Sequence, residues 1–229
     1  RQIKEFMIRS LEAGEWGPGD AIPSEGELAA RFNVSQGTVR KAIDEMAAEN
    51  LLIRRQGKGT FVASHDDPRS FYRFLRLVPD DGIPAHAVSV PLSCSTREAG
   101  PEAAALRIVV GDPVIYVERL LRFNGETVVF DQIHLVTELF AGLTLENLSG
   151  GDRSLYSLFE NDYGVRMIHA EEHLRAVAAD PYSAGLLGVQ PGAPLLLVER
   201  TAYTYGNKPV EWRRGLYCTL RHHYRNDLG

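Results

Sequence analysis

Residues 24–40, with the sequence SEGELAARFNVSQGTVR, decide the fold of the amino-terminal part of the chain. Ser24 and Glu27 form a capping-box pair, which predicts that a helix begins here. The tight turn Asn33-Val34-Ser35 follows, and Ser35 is placed to cap a second helix. Two short helices joined by a turn of about three residues are typical of a helix-turn-helix motif.

The flanking residues complete this unit. Apolar residues recur at nearly helical spacing over residues 3–14, which predicts a helix that ends in the turn-forming residues 14–20. Residues 51–55 and 60–62 favour two short strands around Gln56-Gly57-Lys58-Gly59, so the unit closes as a winged helix. A phosphate-binding P-loop is the competing interpretation of the glycine-rich tip, but the spacing Gly, four residues, Gly-Lys-Ser/Thr is absent.

The composition is that of a soluble globular protein. The 229 residues are 44% hydrophobic and 24% charged, which argues against a disordered, collagen-like or coiled-coil chain and suggests one or two domains. No apolar run approaches the roughly 18 residues that a membrane-spanning helix needs, and residues 1–20 lack the order of a secretory signal. The two cysteines are too few for a disulfide framework. We therefore expect a cytoplasmic protein with no membrane partner.

The net charge of −5 conceals an uneven distribution. Residues 1–65 carry nine Lys/Arg and nine Asp/Glu, so the excess of acidic side chains lies in residues 66–229. Within residues 31–62 the basic side chains outnumber the acidic ones and form a modest basic cluster. Such a cluster permits DNA binding without proving it.

The chain changes character after residue 65. Residues 66–70 are polar and contain a proline, which suits a linker between a domain at 1–65 and a second domain at 71–229. In the second domain, Asn124-Gly125 and Gly206-Asn207 each join two long strands as hairpin turns. We predict an α+β domain dominated by antiparallel pairs, with strands at 72–78, 84–91, 113–123, 127–136, 166–178, 194–205 and 208–218 and helices near 97–106, 153–161 and 180–188.

Six short motifs follow one another in residues 3–63. They are Pro18-Gly19-Asp20, Pro23-Ser24-Glu25, Glu27-Leu28-Ala29, Val34-Ser35, Thr38-Val39-Arg40 and Gly57-Lys58-Gly59-Thr60-Phe61-Val62. In this order and spacing they resemble the DNA-binding domain of the GntR family of bacterial transcription regulators. One departure is Gln36, where the family usually has arginine, so the base preference is expected to differ from the family's common pattern.

Looser motifs follow in residues 71–225. They are Val117-Glu118-Arg119, Asn124-Gly125-Glu126, Ser154-Leu155-Tyr156, Pro191-Gly192 and Val210-Glu211-Trp212 with Tyr217. They resemble the UTRA effector domain of the HutC subfamily, whose fold is like that of chorismate lyase. The resemblance implies a homodimeric repressor that binds double-stranded operator DNA and responds to a small metabolite, a carboxylate or a phosphorylated compound, bound by residues 71–229.

The DNA-binding candidates lie on both helices of the helix-turn-helix and on the wing. Gln36, Thr38 and Arg40 are the candidates for base edges, since Gln suits adenine and Arg suits guanine. Ser24, Arg31 and the wing are expected to position phosphates. The full predicted set is Ser24, Glu25, Arg31, Ser35, Gln36, Thr38, Arg40, Gly57, Lys58, Gly59 and Thr60.

Arg119 is the leading candidate for an effector contact. Strand alternation places it in the more apolar phase, so its guanidinium needs an anion, supplied either by the protein or by a ligand. The resemblance implies further effector contacts at Asp131, Ser154, Glu211 and Tyr217. The alternatives are that Ser154 only caps a helix and that the strand with Glu211 and Tyr217 faces solvent.

A second feature bears on the charge of the effector. The family often has another arginine two residues after Arg119, where this chain has Leu121. A pair of arginines suits a doubly charged phosphate, so its loss favours a carboxylate or a less charged effector.

Asp131 can share a site with Arg119 in only one hairpin register. A two-residue loop would pair Asp131 with Glu118, on the other face of the sheet. A three-residue loop with Gly125 at positive φ would place Asp131 opposite Val117 and diagonal to Arg119. We therefore predict the three-residue loop.

No catalytic residue, metal site or cofactor is predicted. His222 and His223 are adjacent and would point apart on a strand, and His169 and His173 lie in a stretch that we expect to be extended. No nucleophile elbow or Ser/His/Asp order is present. The alternatives are a metabolic enzyme or small-molecule carrier with a vestigial DNA-binding domain, suggested only by the chorismate-lyase-like fold, and a scaffold whose helix-turn-helix binds protein.

Overall fold

A computed structural model describes residues 2–66, 74–83, 86–150 and 153–226. The chain divides into two units, Arg1–Ser70 and Phe71–Gly229. Of the linker predicted at residues 66–70, only Asp66 lies within the described residues.

The first unit is a three-helix domain with a two-stranded wing. Ser24 Oγ accepts the Glu27 N–H at 3.3 Å, and the Glu27 carboxylate accepts the Ser24 N–H at 2.8 Å, so the predicted capping box is formed. Ser35 Oγ accepts the Thr38 N–H at 3.2 Å and caps the next helix, as predicted. The elements are α1 (Gln2–Glu12), α2 (Glu25–Phe32), α3 (Gln36–Ala48), β1 (Leu52–Arg55) and β2 (Gly59–Val62).

The helices of the first unit pack on a small apolar core. Met7 from α1, Leu28 from α2 and Val39 and Met46 from α3 are fully buried. These side chains turn one face of α3 inward, so its opposite face carries the exposed side chains of Gln36 and other polar residues.

The second unit is built on a six-stranded antiparallel sheet with the strand order β4-β5-β6-β9-β8-β7, which confirms the predicted α+β class. A separate pair, β3 with β10, accompanies it. In the described part of the chain, no helix is long and apolar enough to cross a membrane. The elements are β3 (Leu77–Pro79), β4 (Ala87–Glu98), α4 (Ala103–Leu106), β5 (Pro113–Phe123), β6 (Glu126–Val136), α5 (Leu145–Ser149), α6 (Leu155–Tyr163), β7 (His169–Ala178), α7 (Pro181–Leu187), β8 (Pro194–Thr204), β9 (Lys208–Tyr217) and β10 (His222–Tyr224).

The start of the sheet differs from the prediction. The strand expected at 84–91 continues to Glu98, because its second half pairs with β5 beyond an irregularity between Pro91 and Ser93. The helix expected near 97–106 is therefore limited to α4. Proline is tolerated in β4 because, among the described strands, this one lies at the sheet edge and one row of its backbone donors faces no partner strand.

The β5–β6 hairpin also differs from the prediction. Phe123 pairs with Glu126, so the loop has two residues, Asn124 and Gly125, both at positive φ (49° and 86°). The register then shifts at Leu121 and Arg122, because two consecutive valines of β6, Val128 and Val129, are both buried in one apolar cluster. This bulge brings Asp131 directly opposite Arg119. The predictions of a three-residue loop and of a pairing between Asp131 and Val117 were wrong. The predicted proximity of Asp131 to Arg119 is present, but the bulge causes it and not the loop length.

One face of the sheet holds two apolar clusters with charged residues between them. Along β5, Ile115 and Val117 belong to the cluster covered by α6, and Leu121 and Phe123 belong to a second cluster. Arg119 lies between these pairs on the same face. The opposite face packs on α7 at one end and on α4 at the other.

Candidate DNA-binding surface and effector site

The predicted base-reading residues are exposed together at the start of α3. Gln36, Thr38 and Arg40 are solvent-exposed, while Val39 between them is fully buried and anchors the helix. The Thr38 and Ser35 hydroxyl oxygens lie 2.9 Å apart, so Ser35 both caps α3 and fixes the position of Thr38. An exposed first turn of this kind is the part of a helix-turn-helix that enters the major groove.

Glu25 ties together the two arginines that flank this surface. Its Oε2 accepts hydrogen bonds from Arg40 Nε at 2.9 Å and Nη2 at 2.8 Å, and its Oε1 accepts one from Arg54 Nη1 at 3.2 Å. Arg54 Nη2 donates to Asp44 Oδ1 at 2.7 Å. The hydrogen bond from Arg40, and more weakly that from Arg54, lowers the pKa of the Glu25 carboxyl, so Glu25 is ionised and orients both side chains.

Arg31 and Ser24 already have partners within the domain. Arg31 is ion-paired with Glu15, with Nη2 donating to Oε2 at 2.9 Å, and its guanidinium lies over the rings of Trp16 and Phe32. These contacts hold Arg31 at the surface between α1 and α2. The predicted phosphate contacts of Ser24 and Arg31 stay predictions.

The wing presents a lysine at its tip. Arg55 pairs with Gly59, which leaves residues 56–58 as the loop. Gly57 and Gly59 have φ of 70° and 110°, conformations that L side chains rarely adopt. The exposed Lys58 makes no ion pair with any described residue, so its charge is available to a phosphate.

The effector candidates Arg119 and Asp131 form a buried ion pair in the second unit. Arg119 Nε and Nη2 both lie 2.9 Å from Asp131 Oδ2, with 6% of Arg119 and none of Asp131 exposed. The protein itself therefore supplies the anion that Arg119 needs. Burial first, and the nearby Arg213 second, lower the pKa of Arg119, while Asp131 opposes them.

Glu211 continues this network on β9. Arg213 Nε and Nη2 donate to the two Glu211 oxygens, each at 3.0 Å, and Arg213 Nη1 lies 3.2 Å from Asp131 Oδ2. Tyr156 of α6 donates its hydroxyl to Glu211 Oε1 at 3.0 Å. Burial alone would lower the pKa of Arg213, but Glu211, Tyr156 and Asp131 outweigh it and raise that pKa. The alternative of a solvent-facing strand is wrong, because Glu211 is completely buried.

Tyr217 lies close to the Asp131 carboxylate. Its ring and Asp131 Oδ1 both approach Gly215, which has no side chain to separate them. Burial raises the pKa of the Tyr217 phenol to about 12, so its hydroxyl stays protonated at neutral pH. We define the ionic cluster as Arg119, Asp131, Glu211, Arg213 and Tyr217.

Ser154 stands at the helix that covers this cluster. Its Oγ accepts the Ser157 N–H at 3.0 Å, so the predicted cap of α6 is present. Tyr156 in the first turn of α6 reaches Glu211, so the amino-terminal part of this helix contacts the ionic cluster through that side chain. A helix amino terminus favours negative charge, which is compatible with the predicted anion contact.

Sequence reasoning missed Arg213, Tyr156 and a third buried arginine, Arg200. The signal for Arg213 was present, because strand alternation places it on the same face as Glu211 and Tyr217. Arg200 donates from Nε to Glu172 at 2.7 Å and contacts the Phe74 carbonyl. No local sequence pattern predicts these contacts.

The comparison with protein families agrees with this architecture. The bacterial regulatory proteins of the gntR family match residues 1–62, and the UTRA domain matches residues 89–223. The chain belongs to the GntR family. It combines the DNA-binding domain of that family with a UTRA domain, so both predicted resemblances are confirmed.

Individual relatives support the same assignment. The HTH-type transcriptional repressor NagR of Bacillus subtilis is 29% identical over 99% of this chain and 94% of its own. The HTH-type transcriptional regulator Rv0792c of Mycobacterium tuberculosis is 30% identical over 92% of this chain and 78% of its own length. A crystal structure from Bordetella bronchiseptica, described as the ligand-binding domain of a GntR-family regulator, has 49% identity and a TM-score of 0.67, and covers 69% of this chain and 99% of that domain.

This GntR-family chain is therefore a transcription regulator with a UTRA effector domain, which implies operator DNA and a small-molecule effector as partners. The relatives are named as regulators or repressors, so the enzyme alternative gains no support from them.

Proposed function

We propose that this chain is a homodimeric repressor whose affinity for operator DNA is lowered by a small metabolite with an anionic group, bound at the ionic cluster. The observation that carries the proposal is the buried Arg119–Asp131 pair, which continues into Arg213 and Glu211. Tyr156 in the first turn of α6 contacts Glu211. Buried ion pairs of this kind are often no more stable than apolar residues of similar volume, so their presence favours a functional role.

The contacts of α3 and the wing support separate sets of residues for base contacts and for phosphate contacts. Arg40 uses Nε and Nη2 to hold Glu25, so Nη1 and the second hydrogen of Nη2 can address the O6 and N7 atoms of guanine. Gln36 is suited to adenine. Lys58, Arg31 and Ser24 act on phosphates, which position the protein and carry no base information.

The ionic cluster supports a linkage mechanism. An effector anion that interacts with Arg119 or Arg213 competes with Asp131 and Glu211, and so rearranges the contacts between β5, β6, β9 and α6. Such a ligand lowers operator affinity only by its difference in affinity between two arrangements of the protein, typically about 1–3 kcal/mol. A homodimer fits this role, because a two-fold operator is read by two symmetric helix-turn-helix units.

The test uses the full chain with an operator selected from random duplex DNA. Fluorescence anisotropy of that duplex is followed while a panel of carboxylates and phosphosugars is added. The proposal predicts specific binding and release by at least one compound. Two outcomes contradict it: no duplex that binds more tightly than random DNA, or release that persists undiminished in Arg119→Ala.

A further inference from the structure

Among the described residues, Asp131 makes hydrogen bonds through one of its two carboxylate oxygens. Oδ2 faces three guanidinium nitrogens, Nε and Nη2 of Arg119 and Nη1 of Arg213, at 2.9 to 3.2 Å. Oδ1 is buried and has no hydrogen-bond partner among the described residues. Buried polar atoms are nearly always hydrogen-bonded, so an orphaned acceptor at the proposed effector site calls for a donor.

The surroundings of Oδ1 show that its position is specific. It lies 2.8 Å from where a Cβ atom of residue 215 would be, so this close approach is possible only because that residue is glycine. The Tyr217 ring approaches the same point at 2.5 Å. The site thus holds the carboxylate tightly against the backbone of β9 and leaves Oδ1 with unused accepting capacity.

The charge of the cluster imposes a second condition. Arg119 and Arg213 are positive and Asp131 and Glu211 are negative, and Arg200 with Glu172 adds one charge of each sign. An anion entering alone would leave the buried region with net negative charge and a carboxylate beside it. A ligand that brings one negative and one positive group leaves the balance unchanged.

We infer that the effector is a zwitterion of the amino-acid type, with one carboxylate and one primary or secondary ammonium group. The carboxylate lies at Arg119, Arg213 and the first turn of α6, and the ammonium donates to Asp131 Oδ1. This inference rests on the proposed function, since it takes the ionic cluster as the effector site. A quaternary ammonium has no N–H to donate and is a poor substitute.

The experiment compares ligands that differ only in the ammonium group. The full chain is titrated by thermal shift and calorimetry with common amino acids and 4-aminobutanoate, and each is matched with its deaminated carboxylate, such as 3-phenylpropanoate for phenylalanine. At least one amino compound is expected to bind, and its deaminated partner to bind about 10- to 100-fold more weakly, the usual effect of losing a hydrogen bond to a charged group. Equal binding of the two partners, or no binding by any amino compound, overturns the inference.

Two variants check that Asp131 causes the discrimination. In Asp131→Asn the preference for the amino compound should fall towards onefold. In the control Glu118→Gln, on the opposite face of the sheet, it should be retained. Should Asp131→Asn fail to fold, the matched ligands on the unaltered chain still decide the question.

The outcome also separates this inference from the proposed function. A carboxylate or phosphosugar without an ammonium group that binds tightly and releases the operator leaves the proposed function standing and refutes the zwitterion. Failure of the unaltered chain to bind any operator specifically refutes the proposed function, whatever the ligand panel gives.

Discussion

Replacing Gly215 with alanine tests how tightly the ionic cluster is packed. A Cβ atom there would lie 2.5 Å from Tyr217 Cε1 and 2.8 Å from Asp131 Oδ1, and real Cβ atoms essentially never come within 3.0 Å of a neighbour. Both neighbours are almost completely buried, so neither can swing into solvent. The new methyl group must displace the ring or pull the carboxylate away from its two arginines.

The expected cost follows from this overlap. Overpacking of a well-packed site costs about 1–3 kcal/mol. For a chain of this length each kcal/mol lowers the melting temperature by about 2–4 °C, so Gly215→Ala should lower it by roughly 2–12 °C. Thermal unfolding of the full chain, followed by circular dichroism, measures this shift.

Gly185→Ala is the matched control. Gly185 lies within α7, and a Cβ atom there would meet nothing within 4 Å. Alanine favours a helix over glycine by about 0.5–1 kcal/mol, so this variant should melt at the same or a higher temperature. Equal melting temperatures for the two variants would refute the packing argument.

Three further predictions concern DNA binding and pH. Lys58→Ala should weaken binding to all duplexes about equally and make the salt dependence shallower by about one unit, whereas an unchanged affinity and slope would exclude the wing from the contact. Replacing Gln36 should instead change the preferred sequence, as measured by selection from random DNA; an unchanged consensus argues against base contact. Burial lowers the pKa of His134 in the folded protein below 6.5, although the nearby Glu102 opposes this shift. The folded state therefore favours the neutral imidazole, and the stability that this contributes is fully present above pH 6.5. It is lost as the pH falls from 6.5 through the pKa of the folded protein. His134→Gln should therefore lose less unfolding free energy than the unaltered protein between about pH 8 and pH 5 in denaturant titrations, and an identical loss would contradict this assignment.

Local signals in the sequence predicted the parts of the fold that depend on a few neighbouring residues. Ser24, Ser35 and Ser154 each cap the helix that was expected after them, because a cap is decided within four residues of chain. The wing and the two long hairpins, β5–β6 and β8–β9, follow from turn residues in the same way. The DNA-binding candidates could be named from the sequence because they lie on these local elements.

The proposed effector site depends on contacts between distant parts of the chain. The register that pairs Asp131 with Arg119 is set by the burial of both Val128 and Val129, and the Val128 carbonyl accepts the Cys218 N–H at 2.8 Å. No turn preference at Asn124-Gly125 contains that information. Likewise the ion pair of Arg213 with Asp131 joins residues 82 positions apart. Strand alternation predicts which face of the sheet Arg213 occupies, but it does not predict that Asp131 is its partner.

The most direct test of the central claim is reciprocal linkage between the two domains. The Kd of the selected operator is measured on the full chain with and without a saturating amount of the panel compound that stabilises the protein most, and the Kd of that compound is measured with and without operator. Both constants should change by the same factor, about 5- to 150-fold. An operator Kd that stays constant while the compound saturates the effector domain would refute linkage between the two sites.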